Sequence, residues 1–283
     1  MKTLLFPSDY FNRKEVDQDM KEEYDAAMST GLFDVLLFGY DEWFNENRLV
    51  LSHEPETTED VIYRGWMMTP EKYQSFYDTL LKHDIKLGTS PASYQLMHAF
   101  PNVFPYLAED TPDMIVFEKG EPVDIELAKQ KYGRFMVKDF VKSVKGSSFP
   151  KYFDRKTTQA EFDKAMELFY ELRGDLFTGG ICLKEYVDLK LYGDHTNEYR
   201  VFYINGAPRT ICRNSLQINT ASELPEELVN KYAKLGSPFY TIDYAERADG
   251  QWNIIEAGDG QVSGLSPGQD MAAFYRALYY SLN

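Results

Sequence analysis

Cysteine is scarce. Cys182 and Cys212 are the only two in 283 residues, both set in apolar, strand-like runs, so a disulfide framework is excluded and the pair reads as reduced core thiols. No stretch approaches the roughly 18 apolar residues of a membrane span, and the opening MKTLLFPSDYF is too short in apolar length for a signal-peptide core. A cytoplasmic protein with no membrane partner is expected. Positive charge is also short: 30 Lys and Arg face 45 Asp and Glu, a formal net charge of −15, which opposes sequence-independent binding to a phosphate backbone. The 21 Tyr and 19 Phe are scattered and not interleaved with basic residues, so a base-stacking platform and a nucleic-acid partner are excluded with it. The histidines, His53, His83, His98 and His195, have no H-x-x-x-H or Cys-His spacing, which argues against zinc. Walker A spacing, a G-x-S-x-G elbow, internal repeats and low-complexity segments are all missing.

What is present is ordinary globular material, 43% hydrophobic and 27% charged, in a chain long enough for more than one packing unit. TLLFP, a helical stretch from Glu15 to Thr30, and DVLLFG suggest an α/β unit. VIYRGW reads as a third strand. Thr69-Pro70, a cap followed by proline at the first helical position, starts a helix through Leu81, and SPASYQLMHAF forms another. The polar AEDTP at 108–112 marks a boundary after which strands dominate. MIVFE, RFMVKDFVK and ICLKEYV read as strands, and Thr158 with Glu161 has capping-box spacing ahead of a helix to Leu172. Asn205-Gly206 and Asp249-Gly250 are hairpin signals joining YRVFYING to PRTICRNS and FYTIDYAE to WNIIEA. A helix from about Pro225 to Leu235 separates the two hairpins. Met271, Phe274, Tyr275, Leu278 and Leu282 give the last helix a core-packing stripe.

Four constellations could carry chemistry. In FMVKDFVKSVKGSSF, Lys138 lies inside an apolar strand, where an ammonium group is costly without a compensating anion. Lys142 and Lys145 lead into Gly146-Ser147-Ser148, a loop small enough for backbone N–H groups to approach phosphate. A surface hairpin with solvated lysines is the competing reading. Second, Asp243 and Glu256 fall on neighbouring strands if the Asp249-Gly250 turn closes a hairpin, with Asp259 just beyond. Two carboxylates are what magnesium takes alongside phosphate oxygens, although a chance pair is the alternative in so acidic a chain. The glycines of GDGQVSG are spaced too widely for a dinucleotide fingerprint. Third, Glu198, Arg200 and Arg213 enter one sheet, where an arginine fork suits phosphate or carboxylate, or pairs with another strand. Arg64 directly follows an apolar run, a position where ligand-binding residues of open α/β sheets collect.

Taken in order, VKDFVKSVKGSS, ICLKEYV, NEYRVFYING and IDYAERADGQWNIIEAGDGQ resemble the successive elements of an ATP-grasp module. With YRGW, the chain resembles a clade of bacterial and phage ATP-grasp proteins named for one arginine and two lysines. The resemblance covers about residues 60 to 280. It implies an α+β fold in which two subdomains sandwich ATP, preceded by an N-terminal α/β domain: residues 1–110, then 111–180, then 181–283 with the metal site. Lys138 then matches the strand lysine on the α- and β-phosphates, and Lys142 the clade's second lysine. The 143–149 loop, Ser147 included, would close over the phosphates. Lys184, Glu185, Tyr186 and Val187 match the adenine-holding hinge, and Glu198 a residue near the ribose. Arg200 and Arg213 fall where arginines face the transferred phosphoryl group and the acyl substrate. Asp243 and Glu256 match the magnesium ligands, and because Gly258 occupies the usual place of an asparagine, either Asp259 replaces it as a ligand or one metal is bound differently.

That resemblance implies activation of a carboxylate by magnesium-ATP as an acyl phosphate, then attack by an amine, with Arg64 serving the substrates. Small-molecule or peptide carboxylates and amines are the implied partners. A phosphotransferase on the same module and a non-catalytic nucleotide-binding module are the rival functions. The oligomeric state is left open.

Overall fold

The computed structural model describes residues 1–55, 57–144 and 148–282. Strand β1 (Lys2–Pro7), helix α1 (Lys21–Ser29), strand β2 (Phe33–Phe38), helix α2 (Tyr40–Glu46), strand β3 (Ile62–Tyr63) and helix α3 (Pro70–Leu81) form the first unit. Its three strands are parallel in the order β2-β1-β3. The continuous apolar run of β1 follows from that arrangement, since a parallel strand is covered on both faces. Leu4 and Phe6 pack on one side and Leu5 on the other, all inaccessible to solvent. Thr69 caps α3 by accepting from the Lys72 amide, with Pro70 in the first turn, as expected. The expected strand VIYRGW shrinks to Ile62–Tyr63, because the chain leaves the sheet at Arg64.

Helices α4 (Pro91–His98) and α5 (Phe100–Leu107) follow. Prolines 101 and 105 hide α5 from a periodicity reading, yet it needs only two turns, and Phe100, Val103 and Leu107 are buried. Next come strand β4 (Met114–Phe117), helix α6 (Ile125–Lys131), strands β5 (Arg134–Asp139) and β6 (Phe153–Asp154), helix α7 (Gln159–Arg173) and strand β7 (Ile181–Glu185). The capping box forms at Thr158 and Glu161. These strands make an antiparallel sheet in the order β4-β7-β5-β6, whose core packs Phe135, Val137 and Leu183 against Phe162, Met166 and Phe169 of α7. The expected division at residue 180 is therefore displaced: β7 lies at the centre of this sheet, and the chain leaves it only after Glu185.

A short hairpin, β8 (Leu191–Tyr192) and β9 (His195–Thr196), leads into β10 (Glu198–Ile204), β11 (Ala207–Arg213), α8 (Glu226–Lys231), β12 (Phe239–Glu246), β13 (Trp252–Asp259) and α9 (Met271–Ser281). Asn205 and Gly206 both have positive φ, 47° and 75°, which is the geometry a two-residue hairpin turn requires and glycine supplies without strain. The sheet order is β11-β10-β12-β13, antiparallel throughout. One face carries Val201, Tyr203, Tyr240, Ile242, Tyr244 and Ala257 and packs on α4 and α5, so helices placed before residue 110 share a core with this last sheet. Phe202, Ile204 and Phe239 on the other face meet Phe274, Tyr275 and Leu278 of α9, which also covers the first sheet. Burial of each such side chain stabilises the docking of α9 by about 1.5–3 kcal/mol. The pairing of β12 with β13 slips by one residue: Asp243 opposes Glu256 but Tyr244 opposes Ile254, leaving Ile255 as a bulge.

Candidate functional site

Between the β4-β7-β5-β6 sheet and the edge of β13 lies a cavity of about 400 Å³. Lys138 reaches it from β5 and Lys184 from β7. Alternation places Val137 and Leu183 in the sheet's own core, which turns the neighbouring Lys138 and Lys184 toward the cleft. Both lysines are almost wholly buried, 5% and 3% exposed. Their ammonium groups converge on the Phe100 ring, 5.4 and 4.3 Å from its centroid. Lys184 Nζ donates to the Ile255 carbonyl at 2.9 Å, the bulged residue of β13. Among the described residues neither lysine forms an ion pair with a carboxylate. Burial first, and the Lys138 charge second, hold the Lys184 pKa well below the usual lysine range.

The rest of the cavity is walled by the segment in which the hinge is expected. Glu185, Tyr186 and Val187 line it after β7, with Glu198 at the start of β10 on another wall. The Glu185 and Tyr186 amides are fixed by the Asp113 and Arg134 carbonyls at 2.8 and 3.0 Å, and Arg134 covers the Tyr186 ring at 5.0 Å. Glu198 Oε1 accepts from the Thr196 hydroxyl at 2.6 Å. Ser147 lies outside the described residues.

Glu256 is shared with a smaller polar pocket of about 60 Å³ that also meets Lys142, Arg200, Asp243, Met67, His98 and the 257–264 segment. Arg200, Asp243 and Glu256 stand in a row across β10, β12 and β13, each opposite the next in register. Arg200 grips Asp243 with both arms of its fork, Nε to Oδ1 at 2.8 Å and Nη2 to Oδ2 at 2.7 Å, and anchors the Gly264 carbonyl with Nη1 at 2.7 Å. Burial raises the Asp243 pKa while Arg200 works against that rise. Lys142, from the loop after β5, approaches Glu256 Oε1 at 3.6 Å. The opposed pair Asp243 and Glu256 fits a hard divalent ion that takes two carboxylates and fills its shell with phosphate oxygens and water.

Three expected members stand apart. Asp259 borders the same polar pocket but does not pair with Asp243 and Glu256: it follows Ala257 onto the opposite face of β13, where Oδ1 accepts from the Gln261 amide and side chain at 3.0 Å. No cluster of three or more His, Cys, Asp or Glu suited to a metal exists among the described residues. Oδ2 of Asp259 is buried without a hydrogen bond, and burial pushes its pKa up to about 7. Arg213 lies on the edge strand β11 and is held by Asn219 Oδ1 at 2.6 Å and Glu223 Oε1 at 3.2 Å, lining neither pocket. Arg64 is 3% exposed and also lines neither pocket. Its Nε and Nη2 bind the Glu23 carboxylate, and its Nη1 binds the Gly260 and Ser263 carbonyls at 2.5 and 3.0 Å. These bonds place it behind the 260–264 turn. The sequence reading missed Phe100 and His98; each ends or begins a helix in an apolar stretch, with no motif to single it out.

The family model "ATP-grasp domain, R2K clade family 3" matches residues 126–278. No curated protein matches the chain. Among solved structures, the fold is similar to the ATP-grasp ligase PsnB complexed with a phosphomimetic variant of its minimal precursor, Mg and ADP, with TM-score 0.61 and 10% identity over 99% of this chain and 98% of that one. It is similar also to the D-cycloserine synthetase DcsG, with TM-score 0.62 and 15% identity over 99% and 100%. The D-alanine-D-alanine ligase from Coxiella burnetii gives TM-score 0.60 and 11% identity over 99% and 93%. At these identities the likeness concerns the fold, which is ATP-grasp.

Proposed function

Because the chain belongs to the R2K clade of the ATP-grasp family, we propose that it is a carboxylate–amine ligase that spends ATP to ADP through an acyl phosphate. The observation that carries this reading is the pair of buried lysines, Lys138 and Lys184, facing a cavity that ends at Glu256, whose carboxylate stands opposite Asp243 of the adjoining polar pocket. Burying two like charges side by side is unfavourable, and a polyphosphate is the ligand that reverses the sign of that cost.

In this reading the backbone and side chains of Glu185 to Val187 hold adenine, Glu198 the ribose, and Lys138 and Lys184 the phosphates. Lys142 sits at the far end, next to Glu256, where the γ-phosphate would lie. Asp243 and Glu256 would hold magnesium, which when bound neutralises charge on the β- and γ-phosphates. Arg200 fixes the orientation of Asp243 and the 264 carbonyl, and Arg64 fixes the 260–263 turn from behind. A carboxylate oxygen attacks the γ-phosphorus as its bond to ADP breaks. An amine then attacks the acyl carbon as phosphate leaves with the bonding pair. The peptide precursor named with one neighbour and the D-alanine named with another support an acid of amino-acid or peptide type.

The test is product analysis with magnesium-ATP, hydroxylamine and a panel of amino acids and peptides. The correct acid yields its hydroxamate with stoichiometric ADP. AMP and pyrophosphate would overturn the mechanism, and ADP with a stable phosphorylated acid would replace ligation by phosphotransfer.

A further inference from the structure

The strap from Leu189 to Glu198 forms one wall of the large cavity, and strand alternation gives it two faces. Leu189, Leu191, Thr196 and Glu198 line the cavity. The pairing of β8 with β9 sets Leu191 opposite Thr196 on that face and Tyr192 opposite His195 on the other. Behind the strap, Lys190, Tyr192 and Asn197 converge on one carboxylate, that of Glu246 at the end of β12, which is 2% exposed. Its Oε1 accepts from Lys190 Nζ at 2.7 Å, and its Oε2 from the Tyr192 hydroxyl at 3.0 Å and Asn197 Nδ2 at 2.8 Å. The main chain of Glu246 grips the same two arms: its carbonyl accepts from the Lys190 amide at 2.8 Å and its amide donates to the Asn197 carbonyl at 3.0 Å. Asn197 carries the constraint forward, since Gln217 Nε2 donates both to its Oδ1 at 3.3 Å and to the Glu198 carbonyl at 2.5 Å.

We propose that Glu246, which does not itself line the cavity, is a positioning residue for the sugar: by holding the strap from behind it keeps Thr196 and Glu198 at the nucleotide's 2′- and 3′-hydroxyl groups and so makes the site select ribose. The proposal rests on the nucleotide assignment of the cavity made above. A buried carboxylate has to be met by donors, and Glu246 takes its donors from the strap on both of its arms, so satisfying the charge and fixing the wall are one event. Glu198 can recognise a sugar hydroxyl only from within hydrogen-bond distance, and a strap displaced by about 1 Å would leave it outside. A site that accepts a hydrogen bond from a hydroxyl group rejects the analogue that lacks it. Adenine is held by other means: the Glu185 and Tyr186 amides are fixed by the Asp113 and Arg134 carbonyls, on the far side from Glu246. Loosening the strap therefore acts on the sugar and spares the base.

The experiment is calorimetry on the full chain with magnesium, comparing ADP with 2′,3′-dideoxy-ADP. Wild type should bind ADP about tenfold or more tightly than the dideoxy nucleotide, the worth of a hydrogen bond to a charged group. Glu246→Gln keeps the size of the side chain but faces the strap's donors with an N–H group of its own; ADP affinity should fall about fivefold or more while dideoxy-ADP affinity stays within about twofold, bringing the ratio close to one. Tyr192→Phe removes a single tie from the hairpin and should narrow the ratio by about two- to threefold. A part in stability alone would lower the melting temperature and move both affinities together. Equal binding of the two nucleotides by wild type, a common fall of both in Glu246→Gln, or an unchanged ratio there would overturn the assignment and leave the ligase reading standing. Should Glu246→Gln not fold, an unchanged ratio in Tyr192→Phe overturns it equally. Failure of wild type to bind ADP would end both.

Discussion

Lys184→Met should make the empty protein more stable and its complex with nucleotide weaker. The lysine is 3% exposed, 4.3 Å from the Phe100 centroid, beside a second buried lysine, and its single hydrogen bond is to the Ile255 carbonyl. Methionine has nearly the same length and no charge. The substitution loses that hydrogen bond, worth about 0.5–1.5 kcal/mol, and removes a buried cation that the Glu256 charge offsets only in part; replacing buried ion pairs by apolar groups yields about 1–4 kcal/mol, taken here as the scale. The two combine to between about −0.5 and +3.5 kcal/mol, centred on a gain of about 1.5 kcal/mol, read as about 2–4 °C per kcal/mol in a thermal melt. Loss of a charge-assisted contact to phosphate costs about 1.5–3 kcal/mol, so nucleotide affinity should fall by about 10- to 150-fold in calorimetry. The pH dependence has a definite sign. Because the folded pKa lies below that of the unfolded chain, the unfolded state binds the extra proton between the two values. Wild-type stability therefore rises with pH through that window relative to Lys184→Met, and falls as pH drops through the folded value. A variant that melts lower than wild type and binds nucleotide as tightly would show that the lysine is a structural tie and not a phosphate ligand.

Glu256→Gln should abolish turnover at ordinary magnesium while the chain stays folded by circular dichroism, because a neutral amide is a poor partner for a hard cation; undiminished activity would remove it from the metal site. Arg64→Ala leaves the half-buried Glu23 with only the Tyr275 hydroxyl and frees the Gly260 and Ser263 carbonyls, and should lower stability by about 3 kcal/mol in denaturant unfolding, far more than it lowers nucleotide affinity. Asp259→Asn keeps the geometry at Gln261 and removes a buried carboxyl whose pKa is raised to about 7. Its contribution is fully present below about pH 4, the unfolded value, and lost as pH rises through 7, so the variant should lack a loss on the order of 4 kcal/mol seen in wild type across that window.

Strand and turn chemistry made much of the fold readable in advance. Asn205-Gly206 and Asp249-Gly250 announce hairpins, and closing the second one puts Asp243 opposite Glu256. The Thr158 capping box is local and so survives any tertiary context. What could not be read depends on which face a residue takes or on contacts far away in the chain. Asp259 sits three residues after Glu256, and strand alternation turns it to the other face. Arg64 follows an apolar run as a ligand-binding arginine would, yet its partners lie at Glu23, Gly260 and Ser263. Lys184 looked like the first residue of a hinge; only the packing of Phe100 from α5 reveals it as half of a buried cationic pair.

The bulge at Ile255 ties two sheets through one atom. Deleting that residue would regularise the ladder, since Glu256 would then directly follow Ile254 and still oppose Asp243 with its side chain on the same face. The carboxylate pair would survive the shortening, but the carbonyl that receives the Lys184 ammonium would be gone. A one-residue deletion could thus separate metal geometry from the coupling between lobes, loosening the hinge without touching the carboxylates. In a chain that samples insertions and deletions, position 255 is where the grip on nucleotide can be changed while the chemistry beside it is left in place.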